Sequence, residues 1–143
     1  MNQSNKGETL IFLIWAQALI ALLGSLFFSE IMGYVPCELC WYQRILMYPL
    51  VIIYGVAMIK KNMSMAYPGI ILSGIGIFVS TYHYLIQKVP ALHDTAGACG
   101  IIPCTTQYVN YLGFITIPFL AGVAFIVIFV LHVLLLKQIG GKK

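Results

Sequence analysis

The sequence predicts an all-α membrane protein built as a bundle of four transmembrane helices. Three observations predict it: 61% of the 143 residues are hydrophobic, only 8% are charged, and the apolar residues fall into four long runs. Soluble domains carry about 25% charged residues, so this chain has too few to cover a surface in water. We therefore expect the bilayer to be its solvent and residues 1–143 to form a single integral membrane domain.

The four apolar runs give the helices in order. They cover about residues 9–28, 41–59, 67–86 and 114–136, each near the ~20 residues that a helix needs to cross ~30 Å of hydrocarbon. None alternates apolar and polar residues at period two, as the strands of a membrane barrel do. Because backbone groups in lipid must be paired internally, helices are the remaining choice.

The lysines predict the orientation of the helices. All of them except Lys88 lie before helix 1, between helices 2 and 3, or after helix 4, as Lys6, Lys60 and Lys61, and Lys137, Lys142 and Lys143. Because lysine-rich segments stay in the cytoplasm, we expect both termini and the connection between helices 2 and 3 to be cytoplasmic. The connections at about residues 29–40 and 87–113 are then outside. The charges form no groove or stripe for nucleic acid.

All four cysteines fall in these two outer connections. Cys37 and Cys40 form a Cys-x-x-Cys motif, and Cys99 and Cys104 form a second close pair. Disulfides form and persist outside the cytoplasm, but short rings constrain an unfolded chain little. Cys-x-x-Cys is instead the usual spacing of exchanging pairs. We therefore expect two redox-active pairs on the outer face rather than two structural disulfides.

The surroundings of the motif predict two unequal sulfurs. Cys40 is expected at the start of helix 2, whose dipole favours an anion, and Arg44 follows one turn deeper on the same face. Both effects lower the pKa of a thiol. Cys37 lacks both, so we expect Cys40 to be the membrane-facing thiolate and Cys37 to be the exposed partner that exchanges with other sulfurs.

His83 lies near the outer end of helix 3, at the depth of Cys40 and Arg44. One interpretation is a hydrogen-bonded interfacial histidine, and the other is a partner for a cofactor held between the helices. Oxidising a substrate leaves two electrons in the protein, and a lipid-soluble quinone beside Cys40 is the natural acceptor. Arginine and histidine can donate hydrogen bonds to quinone oxygens as these become negative.

The run Cys-Glu-Leu-Cys-Trp-Tyr-Gln-Arg at residues 37–44 resembles the bacterial disulfide bond formation protein B (DsbB) family. With the four-helix layout, the second cysteine pair and His83, the chain is most similar to the short Gram-positive, BdbC-type thiol–disulfide oxidoreductases. The resemblance implies a quinone-dependent enzyme of the bacterial plasma membrane. It also implies that this enzyme reoxidises an extracytoplasmic, DsbA-like thioredoxin-fold thiol oxidase. The electrons would pass to menaquinone or ubiquinone, supporting disulfide formation in exported proteins.

The resemblance also implies a role for each site residue. Cys99 matches the cysteine that captures the partner's thiol in a mixed disulfide, and Cys104 matches its pair-mate, which then exchanges with Cys37. Cys40 matches the thiol that contacts the quinone, while Arg44 and His83 match residues that assist quinone binding. In the better-studied branch the second pair is widely separated, whereas four residues separate it here, which favours one small redox module. That branch also often has a carboxylate where Gln43 stands.

Two alternatives remain open at this point. All four cysteines could hold zinc as thiolates, which would make the chain a non-enzymatic metal-binding membrane protein. The vitamin K epoxide reductase group performs similar quinone-linked electron transfer with a Cys-x-x-Cys in a helix bundle. Its active pair falls late in the chain, however, rather than at the second helix.

Overall fold

The structure, a computed structural model, describes residues 3–98 and 101–141, and the side chains of residues 5–94 and 101–141. Its fold is formed by four long helices, α1 (Gln3–Leu26), α2 (Glu38–Lys60), α3 (Ala66–Lys88) and α4 (Ile117–Gly140). A wider, π-helical turn at Phe27–Ile31 continues α1, and two short 3-10 helices, Met63–Met65 and Pro90–Ala98, flank α3. Over the described ranges there is no β-strand, and one isolated bridge joins Tyr111 to Ile115.

The helices pack in a ring in which α1 contacts α2, α2 contacts α3, α3 contacts α4 and α4 contacts α1. Four segments are long and apolar enough to cross a membrane: Asn5–Ile31, Glu38–Lys60, Met63–Lys88 and Ile117–Gly140. Large apolar side chains such as Ile59 and Phe78 point away from the bundle and are 85% and 79% exposed, which suits contact with lipid. The predicted all-α fold with four transmembrane helices is confirmed.

Small residues on one face of α3 allow its neighbours to approach closely. A methyl group at Gly76 would collide with the ring of Phe125 on α4, and one at Gly69 would collide with Tyr54 and His132. Tyr54 and His132 form a fully buried hydrogen-bonded pair. This pair ties α2 to α4 at the end of the bundle that is remote from the cysteines.

The predicted helix boundaries differ from the observed ones by up to six residues, the largest difference being the start of α1, and the starts of α2 and α4 bear on the site. α2 begins at Glu38, three residues earlier than expected, so that Cys37 becomes its N-cap residue. α4 begins at Ile117 rather than near residue 114, because Tyr111 and Ile115 close a turn through backbone hydrogen bonds of 3.0 and 2.9 Å. Thr116 then provides the extended N-cap backbone, and Pro118 fits the first helical turn, where its missing N–H costs little.

The connections that carry the cysteines meet at one end of the bundle. Tyr34 of the first connection stacks on Tyr108 of the second, with ring centroids 4.9 Å apart, and Phe28 extends the stack. Lys88 Nζ donates a 2.6 Å hydrogen bond to the Gly113 carbonyl, which joins the two ends of the second connection. The prediction that this end of the bundle faces outward stays a prediction.

Candidate redox site

The Cys-x-x-Cys motif forms the first turn of α2. Cys37 is the N-cap residue and Cys40 lies in the first turn, so the helix brings both side chains to one face. Their Sγ atoms are 3.2 Å apart and both residues are free thiols. Cys37 is buried and Cys40 is half-buried. The motif is therefore held as a dithiol whose sulfurs need to move little to form a disulfide.

His83, on α3, joins this dithiol to the second connection. Its side chain is fully buried, and its Nε2 atom lies 3.6 Å from Cys37 Sγ and 3.2 Å from the carbonyl oxygen of Cys104. On the other side of the ring, Nδ1 lies 3.3 Å from Gln43 Nε2. His83 lines the cavity described below, but both ring nitrogens have protein partners. Its predicted contact with a quinone stays a prediction.

Cys104 brings the second cysteine pair to the motif. It is fully buried and disulfide-bonded, whereas Cys99 lies outside the described residues. The Sγ atoms of Cys37 and Cys104 and a ring nitrogen of His83 lie within 4.8 Å of one another. Gln87, one helical turn after His83, donates hydrogen bonds to the carbonyls of Cys104 (3.3 Å) and Thr106 (3.2 Å). A small movement of either sulfur would bring Cys37 and Cys104 into bonding distance.

Hydrogen bonds hold the pKa of the Cys37 thiol below its usual value. The largest cause is the hydrogen bond from the Cys40 thiol, and a hydrogen bond from His83 adds to it, against the opposing effect of burial. In this dithiol state the donors from Cys40 and His83 therefore favour a thiolate at Cys37. The prediction that Cys37 is the exposed sulfur is wrong, because its side chain is buried against His83 and Cys104. The prediction that Cys40 is the thiolate on the membrane side stays a prediction.

Arg44 is held by α1 rather than by Cys40. Its Nε atom donates to Ser25 Oγ (2.8 Å) and its terminal Nη2 atom donates to the Ser25 carbonyl (3.1 Å), while the guanidinium carbon lies 5.3 Å from the centre of the Trp41 ring. Ser25 lies just before the wider π-helical turn, a local irregularity that is frequent at functional sites. Arg44 also forms part of the wall of the adjacent cavity.

A cavity of about 310 Å³ opens between α1, α2 and α4 beside the cysteines. Cys37, Cys40, Arg44 and His83 contribute to its wall. The rest of the wall is mainly apolar and includes Ile20, Phe28, Met47, Leu120 and Phe125. A mostly apolar pocket of this size with a few convergent polar groups is typical of a small-molecule or cofactor site.

Three polar atoms on this wall are buried and have no hydrogen-bond partner among the described residues: Tyr48 OH, Gln87 Oε1 and Thr116 Oγ1. The Thr116 side chain does not cap α4 and is 1% exposed. Buried hydroxyls are normally hydrogen-bonded, and each exception calls for an explanation. A ligand with hydrogen-bonding oxygens would supply the missing partners in an otherwise apolar cavity.

The zinc alternative requires all four cysteines as thiolates. Cys37, His83 and Cys104 are close enough to ligate one ion in geometric terms. However, Cys104 is disulfide-bonded, and a disulfide sulfur is not the thiolate that binds zinc. The four-thiolate site therefore does not describe this state of the protein.

Comparisons with known proteins identify the family of the chain. The sequence profile of the family described as "Disulfide bond formation protein DsbB" matches residues 7–135. The chain belongs to the DsbB family. It is 64% identical to the "Probable disulfide formation protein" of Oceanobacillus iheyensis, with 97% of each chain covered. It is 50% identical to the "Disulfide bond formation protein C" of Bacillus subtilis, over 87% of this chain and 91% of the relative. No solved structure matches the chain.

Membership of the DsbB family supports a role in disulfide bond formation. The chain is a multi-pass membrane protein with disulfide oxidoreductase chemistry, of the short Gram-positive type that the sequence resembles. The 53% identity with "Probable disulfide formation protein C" of Halalkalibacterium halodurans, over 94% of this chain and 98% of the relative, agrees with this. The family match also favours DsbB-type chemistry over the vitamin K epoxide reductase alternative.

Sequence reasoning found the cysteines, Arg44 and His83 but not the residues that hold them. No recognised signal marked Ser25, Tyr48, Gln87 or Thr116, and Gln43 was noted only as standing where the better-studied branch often has a carboxylate. α3 did carry a signal in its sequence, a repeat of polar or small residues at alternating three- and four-residue spacing. Residues at this spacing share one helix face, and here they are buried: Ser73, Gly76, Ser80, His83 and Gln87. For Ser25 none existed, because its partner Arg44 comes from another helix, and for Thr116 none existed, because only the folded structure shows that its hydroxyl is buried.

Proposed function

We propose that this DsbB-family protein is a quinone-dependent protein disulfide oxidoreductase that reoxidises an extracytoplasmic thioredoxin-fold dithiol oxidase. One observation carries the proposal. The free dithiol of Cys37 and Cys40 has the disulfide-bonded Cys104 on one side, within 4.8 Å of Cys37, and an apolar cavity on the other. A water-soluble protein, acting through Cys104, and a lipid-soluble acceptor in the cavity can therefore both exchange electrons with the same dithiol.

The second cysteine pair receives electrons from the soluble partner. A partner thiolate attacks Cys99, its bond to Cys99 forms, the Cys99–Cys104 bond breaks, and Cys104 leaves as a thiolate. The second partner thiol then attacks the mixed disulfide, so that the partner leaves oxidised and the Cys99–Cys104 pair is reduced by two electrons. Cys104 then exchanges with the Cys37–Cys40 disulfide. The names of the relatives support the direction, since they are disulfide formation proteins.

The cavity fits the headgroup and first tail units of a menaquinone or a ubiquinone. Its wall is mainly apolar, and it offers N–H groups of Arg44 together with the unpartnered hydroxyls of Tyr48 and Thr116. These donors match the two carbonyl oxygens of a quinone. When bound, a quinone supplies a two-electron, two-proton acceptor for the Cys37–Cys40 dithiol.

The residues around this cavity bind and orient the quinone and exclude water from it. Ser25 holds the Arg44 guanidinium in place. Its positive charge then stabilises the negative charge that develops on the quinone oxygen. Cys40, half-buried on the cavity wall, is the thiol on the quinone side. Its hydrogen bond to Cys37 holds the proton of the dithiol between the two sulfurs until the disulfide forms.

We further propose that the cysteine end of the bundle faces outward from a bacterial plasma membrane. The support is the lysine distribution, because Lys60 and Lys61 lie at the opposite end of α2 from the Cys37–Cys40 motif. Positively charged connections stay in the cytoplasm. Labelling of single-cysteine variants in intact cells with a membrane-impermeant maleimide tests this orientation. Labelling at a cysteine placed at Lys61 but not at Tyr111 would contradict it.

The function is tested with the purified protein in detergent, a reduced thioredoxin-fold dithiol protein and a quinone, followed by quinone absorbance. We expect catalytic loss of the quinone with stoichiometric oxidation of the dithiol, and no turnover in Cys40→Ser. When Cys104→Ser is instead mixed with the oxidised partner, we expect the Cys99 thiolate to attack the partner disulfide, one partner sulfur to leave as a thiolate, and the mixed disulfide to persist because Cys104 is absent. Normal turnover in Cys40→Ser, or a partner trapped on Cys37, would contradict the proposal.

A further inference from the structure

A chain of buried polar side chains connects the two cysteine pairs, and the function proposed above does not explain it. It consists of Gln43, His83 and Gln87, which we call the exchange clamp, and all three side chains are buried. Burying polar groups in an apolar bundle is costly unless they are hydrogen-bonded. Each of the three reaches across to another segment of the chain for its partner.

The hydrogen bonds of His83 determine its tautomer. The carbonyl of Cys104 can only accept, and it lies 3.2 Å from Nε2, so Nε2 carries a proton. In a neutral ring Nδ1 is then an acceptor, and the Gln43 amide, 3.3 Å away, donates to it. The Nε2–H group also lies 3.6 Å from Cys37 Sγ. Gln43, being uncharged, holds His83 as a neutral donor directed at this sulfur.

The third member of the clamp fixes the position of Cys104. Gln87 Nε2 lies near two carbonyls, those of Cys104 and Thr106, so only its NH₂ group can face them. The Cys104 carbonyl therefore accepts from both His83 and Gln87 and uses both of its lone pairs. The backbone carbonyl of Gln87 accepts a 2.9 Å hydrogen bond from the Gln107 side-chain amide. The loop is thus held to α3 at Cys104 and at the residues that follow it.

We propose that the exchange clamp promotes disulfide exchange between the two cysteine pairs. His83 stabilises the Cys37 sulfur as a leaving thiolate, Gln43 keeps the imidazole in the required tautomer, and Gln87 keeps Cys104 within reach of Cys37. The proposal rests on the assignment of Cys37 and Cys104 as the exchanging sulfurs under the proposed function. In these terms His83 touches a reacting atom, whereas Gln43 and Gln87 are positioning residues.

The exchange balances without a further reactant. In its first step the Cys104 thiolate attacks Cys37, the Cys104–Cys37 bond forms, and the Cys37–Cys40 bond breaks with Cys40 leaving as a thiolate that is then protonated. In the second step the Cys99 thiolate attacks Cys104, the Cys99–Cys104 bond forms, and Cys37 leaves as a thiolate. Two electrons pass from the second pair to the first. The protons of the attacking thiols are exchanged with solvent, and one is recovered on Cys40.

The structure has the bonding pattern that follows the second step. Cys37 and Cys40 are free thiols while Cys104 is disulfide-bonded, and donors from Cys40 and His83 surround Cys37 Sγ. Exchange is faster when the leaving thiol has a lower pKa. Among the described residues Cys40 and His83 are the titratable groups that act on Cys37. Arg44, on α2, bonds to Ser25 instead.

The role of His83 is tested without any quinone, by titrating the thiolate absorbance of Cys37 in a Cys40→Ser background. We expect His83→Leu to raise the midpoint by about one to two pH units, the size of a lost hydrogen bond to a charged group. His83→Gln, which can place an NH₂ group near the Nε2 position, should retain most of the midpoint. Gln43→Glu should lower it, because a carboxylate at Nδ1 favours the imidazolium form. Unchanged midpoints in His83→Leu and Gln43→Glu would overturn the proposal.

The role of Gln87 is tested by the rate of exchange, again without quinone. Reduced partner protein is mixed with the oxidised protein, and acid quenching followed by maleimide labelling measures electron arrival on Cys37 and Cys40. We expect Gln87→Leu to slow the arrival of electrons on Cys37 and Cys40 about tenfold, while the midpoint of the Cys37 thiolate titration stays unchanged.

The matched control is Lys88→Met, which removes the 2.6 Å hydrogen bond to Gly113 that joins the ends of the same connection. We expect this variant to exchange at the wild-type rate. Wild-type exchange in Gln87→Leu would overturn the proposal. Normal exchange without quinone reduction would instead contradict the proposed function alone.

Discussion

Ser25 of α1 binds the Arg44 side chain of α2 through two atoms, its hydroxyl and its carbonyl oxygen, at 2.8 and 3.1 Å. The contact crosses between helices and fixes the guanidinium plane beside the cavity. An unrestrained arginine at this depth would extend towards the headgroups. Ser25 therefore determines where the charge of Arg44 acts.

Ser25→Ala should weaken quinone use without disturbing the cysteines. The loss of one side-chain hydrogen bond is worth about 1 kcal/mol, or roughly fivefold in the KM for quinone, since the bond to the Ser25 carbonyl remains. Ser25→Thr keeps a hydroxyl and is the matched control, with a KM close to that of the wild type. Steady-state assays at varied quinone concentration provide the measurement. An unchanged KM in Ser25→Ala would mean that Arg44 does not depend on this hydroxyl.

Thr116→Val should increase stability and reduce quinone binding at the same time. The buried hydroxyl has no partner among the described residues and does not cap α4, so its removal costs the apo protein nothing and gains about 0–1 kcal/mol. A bound quinone loses a hydrogen-bond donor, and its KM should rise roughly fivefold. Thermal unfolding in detergent and quinone titration are measured on the same samples. A fall in stability with an unchanged KM would refute the assignment of Thr116 to the quinone site.

Gly76→Ala should destabilise the bundle, whereas Gly74→Ala should not. A methyl group at Gly76 collides with the Phe125 ring, while one at Gly74 lies at an ordinary 3.8 Å from Phe129. Overpacking costs about 1–3 kcal/mol, and an alanine in an open helical position gains up to about 1 kcal/mol over glycine. Thermal unfolding of the two variants in one detergent compares them directly. Equal stabilities would show that α3 and α4 are not packed as described.

Cys37 should remain reactive at low pH in the reduced protein. Alkylation requires the thiolate, and a lowered pKa keeps the thiolate populated as the pH falls through the neutral range. Between pH 8 and 6 a cysteine of ordinary pKa loses reactivity on the order of 100-fold, whereas Cys37 should lose little until the pH falls below its own pKa. Mass spectrometry after timed alkylation gives the rate, and the denatured protein is the control. A folded-state profile that matches the denatured one would contradict this.

The features that could be predicted from sequence are local ones. Hydropathy identified four helices because each span depends on its own residues, and the spacing of Cys37 and Cys40 identified a redox motif by itself. Hydropathy places the start of α2 three residues late. Glu38 and Leu39 lie before the apolar run that begins at residue 41, and they carry no capping signal that would mark an earlier start. The earlier start makes Cys37 the N-cap residue, and its side chain is buried where the sequence predicts an exposed sulfur. Contacts such as His83 with the Cys104 carbonyl depend on how a long connection folds back, which local patterns do not specify.

The central claim is that electrons pass directly between Cys37 and Cys104. The variant Cys40→Ser, Cys99→Ser retains only these two cysteines, whose sulfurs lie within 4.8 Å in the described structure. Purified under mild oxidation and mapped by mass spectrometry without reductant, this variant should contain a Cys37–Cys104 disulfide in most molecules. Two free thiols that stay unbonded under oxidation would contradict direct exchange between the pairs.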